Sequence, residues 1–217
     1  MTNDNNMNVK APWIKSLGGI PAHLDYYKGS MYDRVAEVSE NFPDHIAYDF
    51  MGGKVKYKDF ISKVDKCARA LAAIGVKPGE SVTICMPNVP QTVVMFYAVN
   101  LVGAIANMIH PLSSEGEIEF YIKESGSVAA ITLDQFYGKF EAIRPNVDLP
   151  HLIITSVADA LNPVMKLGYK LTEGRKYPPV PKDAPVLFWK QFLKNGAQFR
   201  GNYIRPRKAE DGAVILY

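Results

Sequence analysis

A chain of 217 residues, 47% of them apolar, can build a sizeable core, which excludes wholesale disorder and allows one large domain or two small ones. A formal charge of +3 is too small to argue for nucleic acid by itself. The two cysteines, Cys67 and Cys85, show neither CxxC nor metal spacing, so both are expected as free, buried thiols in a reducing, cytoplasmic compartment.

The polar start, MTNDNNMNVK, lacks the apolar middle of a signal peptide, and residues 1–30 are expected to form a loose arm. Ser30 and Asp33 then suit the start of a helix whose Met31, Val35, Val38 and Phe42 fall at helical spacing, and Pro43-Asp44 stops it. HIAYDF and KVKYKDF flank Met51-Gly52-Gly53 and predict a β-hairpin. The following helix presents Phe60, Val64, Cys67, Ala68, Leu71 and Ile74 on one face and ends at Gly75.

A strand–helix pattern follows. Strands are predicted over 81–86, 104–109, 128–133 and 152–154. Helices are predicted over 88–102, capped by Asn88, then from Ser114 with Glu117 as a capping box, and more weakly over 135–143. Such alternation predicts a mostly parallel sheet with right-handed crossovers. Residues 81–114 contain no Asp, Glu, Lys or Arg, and 92–109 nearly reach the length of a membrane span. Asn100, Gly103 and Asn107 interrupt that run, and Pro87 and Pro90 punctuate its start. A buried strand–helix–strand unit explains the same composition.

Past Ser156 the pattern weakens. Residues 158–171 read as a helix interrupted by Pro163, YPPVPKDAP as an extended proline-rich connector, and LFWKQFLKNG as a short amphipathic helix ending at Gly196. Residues 161–210 hold eleven Lys or Arg against three acids, a net of +8. That stretch reads either as a solvated linker or as a docking surface for phosphates or an anionic membrane. The closing DGAVILY reads as a strand entering a buried sheet. Ligands of α/β folds sit just beyond the carboxyl ends of such strands, so the sequence is expected to be cut at a functional edge.

No phosphate-binding glycine loop, nucleophile elbow or paired-ligand metal motif occurs. His23, His45, His110 and His151 are scattered singly. His110 stands out because it ends a predicted parallel strand beside Pro111, but no partner carboxylate is evident in the sequence. Gly18-Gly19 and Gly52-Gly53 read as turns, because neither pair links an apolar strand to a helix as phosphate binding requires. RPRKAED reads as a solvated charge run with the chemistry to touch phosphates. No catalytic, cofactor-binding or metal-binding residue is assigned.

The order of segments resembles the opening of the adenylate-forming enzymes, the AMP-binding acyl-CoA synthetases and fatty-acid–CoA ligases. Pro43 with Ala47 matches their P-x-x-x-A strand, Tyr57 with Phe60 their T-Y-x-x-L junction, and Gly75-Val76 with Gly79 their next turn. Met86, Asn88 and Gln91 match a helix start. Gly103-Ala104, Pro111 and Glu117-Ile118 follow in order, with Asn107 and M-I-H-P similar to the V-N-x-x-N-P of fatty-acyl members. DGAVILY is similar to the D-x-A-x-x-x-Y strand that precedes the family's Ser/Thr/Gly-rich phosphate loop. Lys56 replaces the usual capping Thr, at a cost of about 1 kcal/mol. His110 replaces the Asn before Pro, and residues 158–207 follow no family motif.

The resemblance implies an α/β fold, a mostly parallel sheet flanked by helices with a hairpin near the amino terminus, belonging to the large amino-terminal domain of a synthetase. It implies residues 31–157 as the α/β part, 158–210 as a basic insertion or connector and 211–217 as the strand before the phosphate loop. The implied reaction joins a fatty acid to ATP with Mg, giving an acyl-adenylate that CoA then converts to a thioester. The groups for that chemistry are expected after Tyr217, so this stretch alone is expected to be inactive and to hold no cofactor tightly. A non-enzymatic acyl- or protein-binding module remains the alternative. No nucleic-acid partner and no transmembrane span are expected, and peripheral membrane contact stays open.

Overall fold

A computed structural model describes residues 26–217 together with Trp13, Ser16 and Gly18. His23, Gly19 and most of the expected arm lie outside the described residues.

Helix α1 (Met31–Asn41) starts at a capping box: the Ser30 hydroxyl accepts from the Asp33 amide at 3.0 Å, and the Asp33 carboxylate accepts from the Ser30 amide at 2.8 Å. Its expected apolar face is only half realised. Val35 and Val38 are half-buried, whereas Met31 is exposed and Phe42 stacks on His45 outside the core. Strands β1 (Ile46–Phe50) and β2 (Gly53–Lys56) form the antiparallel hairpin. Its turn is Met51-Gly52, both at positive φ (51° and 78°), and Gly53 already belongs to β2.

Helix α2 (Tyr57–Ala73) has Lys56 at its N-cap with no side-chain cap, as the replacement of Thr predicted. The preceding loop makes good part of the loss, since the Tyr57 and Lys58 amides donate to the His45 and Pro43 carbonyls at 3.0 and 3.1 Å. Gly75 at φ 91° closes the helix, with the Val76 amide reaching back to the Leu71 carbonyl at 3.1 Å.

The six-stranded sheet has the order β7-β6-β5-β3-β4-β8, and every pairing in it is parallel. Its strands are β3 (Ser81–Cys85), β4 (Ile105–Met108), β5 (Ser127–Leu133), β6 (His151–Thr155), β7 (Leu187–Phe188) and β8 (Val214–Leu216). The intervening helices are α3 (Pro90–Leu101), α4 (Glu115–Ser125), α5 (Tyr137–Ile143), α6 (Pro163–Leu171) and α7 (Trp189–Gln198). The chain first winds from β3 to β4, then reverses across β3 to β5, β6 and β7. Ligands favour the crevice beside such a reversal.

Neighbouring side chains along a strand point to opposite faces. Ile131 and Ile153 therefore join the core under α2, α3 and α7, while Ala130, Leu152 and Ile154 join the core under α4 and α5. The uncharged run at 81–114 forms β3, α3 and β4 in the middle of these layers. Among the described residues no helix is long and apolar enough to cross a membrane.

Four local expectations are corrected. Helix α3 begins at Pro90 with Val89, not Asn88, at its N-cap, because proline's fixed φ suits the first helical position. Pro163 likewise opens α6 instead of interrupting a helix, with Asn162 capping the Met165 amide at 2.9 Å. Leu187-Phe188 is an edge strand, not part of the next helix. Finally, α7 runs through Gly196 to Gln198, because that glycine lies against the α2 backbone, where a Cβ would come within 2.6 Å of Ala70.

Candidate functional site

The carboxyl edge of the sheet holds two clefts that share Asp159 and Trp189. The first, about 440 Å³, lies beyond the ends of β5, β6 and β7. Asp134, Thr155 and Ser156 come from the strand ends, α6 contributes Lys166 and Tyr169, and Tyr177 to Val180 form the proline-rich wall. The second, about 450 Å³, opens between the hairpin, α2, α3 and the loop at Ala160 to Asn162. Phe50, Val55 and Val94 make apolar walls, and Lys54, Lys63 and Lys66 bring positive charge.

The turn between the clefts is braced from both sides. Ser156 caps a short 3-10 turn (Val157–Asp159), and Asp159 pairs with Lys166 at 3.4 Å. Gln91, at the start of α3, donates its side-chain amide to the Ser156 carbonyl at 2.9 Å and the Thr155 hydroxyl at 3.3 Å. Its Oε1 is buried with no protein partner. The sequence marked Gln91 only as part of a motif, and the structure makes it the bolt joining α3 to the end of β6.

His110 lies in the loop two residues past the end of β4 at this edge, and it is exposed, its Nδ1 accepting from the Leu112 amide at 3.2 Å. The ring therefore serves its own loop. Lys139 of α5 grips the same loop by donating to the Pro111 and Ser113 carbonyls at 3.1 and 2.6 Å. Beneath it, burial pushes the Cys85 thiol up to about 12, opposed weakly by the Lys139 charge. Burial also raises the Cys67 thiol. Both are free thiols, as expected, and they sit in different apolar layers.

Asn107 is fully buried and works inside the sheet. Its amide donates to Thr83 Oγ1 at 2.9 Å and to Ser125 Oγ at 2.8 Å, tying β4 to β3 and to the end of α4. The Thr83 hydroxyl continues to Ser127 at 2.8 Å.

RPRKAED lies at the opposite, amino-terminal end of the strands and is exposed as expected except at Arg207, which is half-buried. Arg207 donates to the Gly103 and Gly212 carbonyls at 2.8 and 2.6 Å, and the Arg205 amide donates to the Leu101 carbonyl at 3.0 Å. This segment anchors β8, leaving Arg207 no role at the carboxyl edge. His45 and His151 are likewise placed away from both clefts. Among the described residues no three His, Cys, Asp or Glu side chains gather as a metal site would require. Strand β8 pairs with β4 and delivers Tyr217 to the carboxyl edge, where its ring stacks on Tyr121 at 3.9 Å.

Comparison with known proteins accounts for this geometry. A family model described as AMP-binding enzyme matches residues 35–217. A long-chain-fatty-acid–CoA ligase of Bacillus subtilis is 29% identical over 171 residues, covering 78% of this chain and 30% of its own length. The corresponding ligase of Haemophilus influenzae is 27% identical over 202 residues, covering 87% and 34%. Among solved structures, an anthranilate CoA ligase in complex with anthranoyl-AMP superposes with a TM-score of 0.67 at 18% identity, over 86% of this chain and 31% of that one. The N-terminal domain of FACL13 from Mycobacterium tuberculosis does so with a TM-score of 0.63 at 18% identity, over 87% and 41%. The chain thus spans about a third of the length of the curated relatives it matches. The chain belongs to the AMP-binding enzyme family.

Proposed function

We propose that the whole protein is an ATP-dependent ligase that activates a fatty acid as its acyl-adenylate and transfers the acyl group to CoA. The observation that carries this reading is the family match running through Tyr217, on a strand already docked in the sheet. The printed names of the relatives, long-chain-fatty-acid–CoA ligases, support the choice of acid and thiol. We assign residues 31–157 to the α/β part of the amino-terminal domain, 158–210 to a basic insertion or connector, and 211–217 to the strand before the phosphate loop. The buried, protonated thiols of Cys67 and Cys85 support a cytoplasmic setting.

The residues of this chain do not fit a Mg-ATP site. Residues 1–217 contain no Ser/Thr/Gly-rich loop leading to a lysine, and Asp159, the acid shared by both clefts, is already paired with Lys166. Adenylation needs backbone amides, a cation and a metal aimed at the phosphates. What these residues do is hold a wall at the carboxyl ends of the strands, with Gln91 and Lys139 fixing its loops, while Arg207 anchors β8 from the other end.

Two measurements test the reading. Pyrophosphate exchange by the full-length protein across a ladder of carboxylic acids should be fastest with long aliphatic acids, and no exchange with any acid would overturn the ligase. Calorimetry of residues 1–217 should show no Mg-dependent ATP binding, and tight binding would overturn the inactivity of this stretch.

A further inference from the structure

The second cleft is walled by five parts of the chain that are distant in sequence: the hairpin, α2, the start of α3, the loop at Ala160 to Asn162, and α7. Its volume of about 450 Å³ lies in the range of small-molecule sites, which combine apolar walls with a few placed polar groups. Tyr48, Phe50 and Trp189 line it. Aromatic walls favour a flat partner, which they meet by stacking or edge contact.

Two polar features select the chemistry of that partner. Lys54, Lys63 and Lys66 line the cleft, and among the described residues none of them takes part in an ion pair. The Lys63 ammonium donates instead to the neutral Tyr48 hydroxyl at 3.2 Å, which holds it against the wall. Asp159, the one acid among the lining residues, is already paired with Lys166. Positive charge gathered on a concave wall without a counter-charge calls for an anion. The other feature is Gln91, which lines the cleft at 4% exposure. Its Nε2 is committed to Ser156 and Thr155, while its Oε1 has no protein partner. A buried acceptor left bare is destabilising and calls for an O–H or N–H donor.

We propose that the cleft between the hairpin, α2 and α3 binds a small aromatic anion, its acidic group met by Lys63 and Lys66 and a ring hydroxyl or N–H serving Gln91. The site stands on these walls and does not depend on the ligase reading.

Calorimetric titration of the full-length protein with a hydroxynaphthalenesulfonate, in the absence of ATP, tests it. A sulfonate has no carboxylate to adenylate, so its binding is read separately from any ligase activity. One-site binding should appear and weaken as salt rises. Naphthalenesulfonate, lacking the hydroxyl donor, should bind several-fold more weakly, and octanesulfonate, lacking the ring, more weakly again. The double variant Lys63→Glu, Lys66→Glu should lose at least about tenfold in affinity. Both lysines are exposed, so the variant should melt with the parent, and the milder Lys63→Gln, Lys66→Gln pair should lose affinity in the same direction. Lys77→Glu, in the exposed turn before β3, should change affinity less than about twofold, which separates local contact from general attraction. Absence of binding by the full-length protein would overturn the proposal, since the rest of the chain would then fill the cleft. Unchanged affinity in the lysine variants, or an equal loss with Lys77→Glu, would overturn it too. Indifference to the hydroxyl would remove Gln91 from the site.

Discussion

Gly196 of α7 sits directly on the backbone of Ala70 in α2, so close that a Cβ at residue 196 would lie 2.6 Å from both the Ala70 nitrogen and Cα. The two helices share the core under which β3 and β5 run. Gly196→Ala should cost about 1–3 kcal/mol through forced separation of the helices. Gly168→Ala, on α6 with open space around it, should instead stabilise by about 0.5–1 kcal/mol. Urea unfolding checks both, with midpoints moving in opposite directions at unchanged slope.

Arg207 is 16% exposed and bridges two carbonyls that belong to different strand approaches, Gly103 before β4 and Gly212 before β8. Arg207→Ala should cost about 1–3 kcal/mol, as expected for losing charge-assisted bonds at a mostly buried site. Hydrogen exchange should rise first at Ala106, whose amide donates to Ala213 at 3.0 Å. Unchanged exchange there would show that β8 is held without the arginine.

Stability should also fall at alkaline pH. The Cys85 thiol ionises at 9.0 ordinarily and about 12 in the fold. Below 9 both states keep the proton, so the residue adds no slope. Between those values the unfolded chain loses the proton and the folded chain keeps it, so folding is progressively disfavoured as pH rises. Cys85→Ala should flatten the decline in melting temperature over that range, and thiol reagents at pH 8 should label the native chain far more slowly than the urea-unfolded one.

Lys56→Thr should stabilise α2 by less than the about 1 kcal/mol usual for a new cap, because the Pro43 and His45 carbonyls already serve two of the first amides. Lys58 keeps Asp44 paired at 2.8 Å when Lys56 is gone. Thermal melts of the variant check the size of the gain.

Asn107→Ala should cost about 1–3 kcal/mol, since it strips the buried Thr83 and half-buried Ser125 hydroxyls of their shared donor. Equilibrium unfolding in urea measures it.

The sheet was legible wherever its strands are covered on both faces. Buried strands need continuous apolar residues, and Val82, Ile84, Ile131 and Ile153 stand out for that reason. Leu187-Phe188 escaped because two residues behind Pro185 carry no periodicity. Both clefts were illegible for a different cause: Gln91, Asp159 and Trp189 meet only through the order of the strands, and no local pattern encodes that meeting. Arg207 was misread because a basic run looks the same in sequence whether it meets solvent or backbone carbonyls.

Strand β7 and strand β8 occupy opposite edges of one sheet, so the chain between them must cross the whole layer before the last strand can dock. On its way it lays α7 on α2 and ties the Tyr203 hydroxyl to Asp65. Ala106 then waits for Val214, a partner made more than a hundred residues later. Pairings so distant in sequence close late in folding. Until they do, the Ile105–Met108 strand presents a bare, apolar edge to any other nascent chain. Synthesis rate and chaperone supply at that interval, more than final stability, should set how much of this protein a cell recovers in native form.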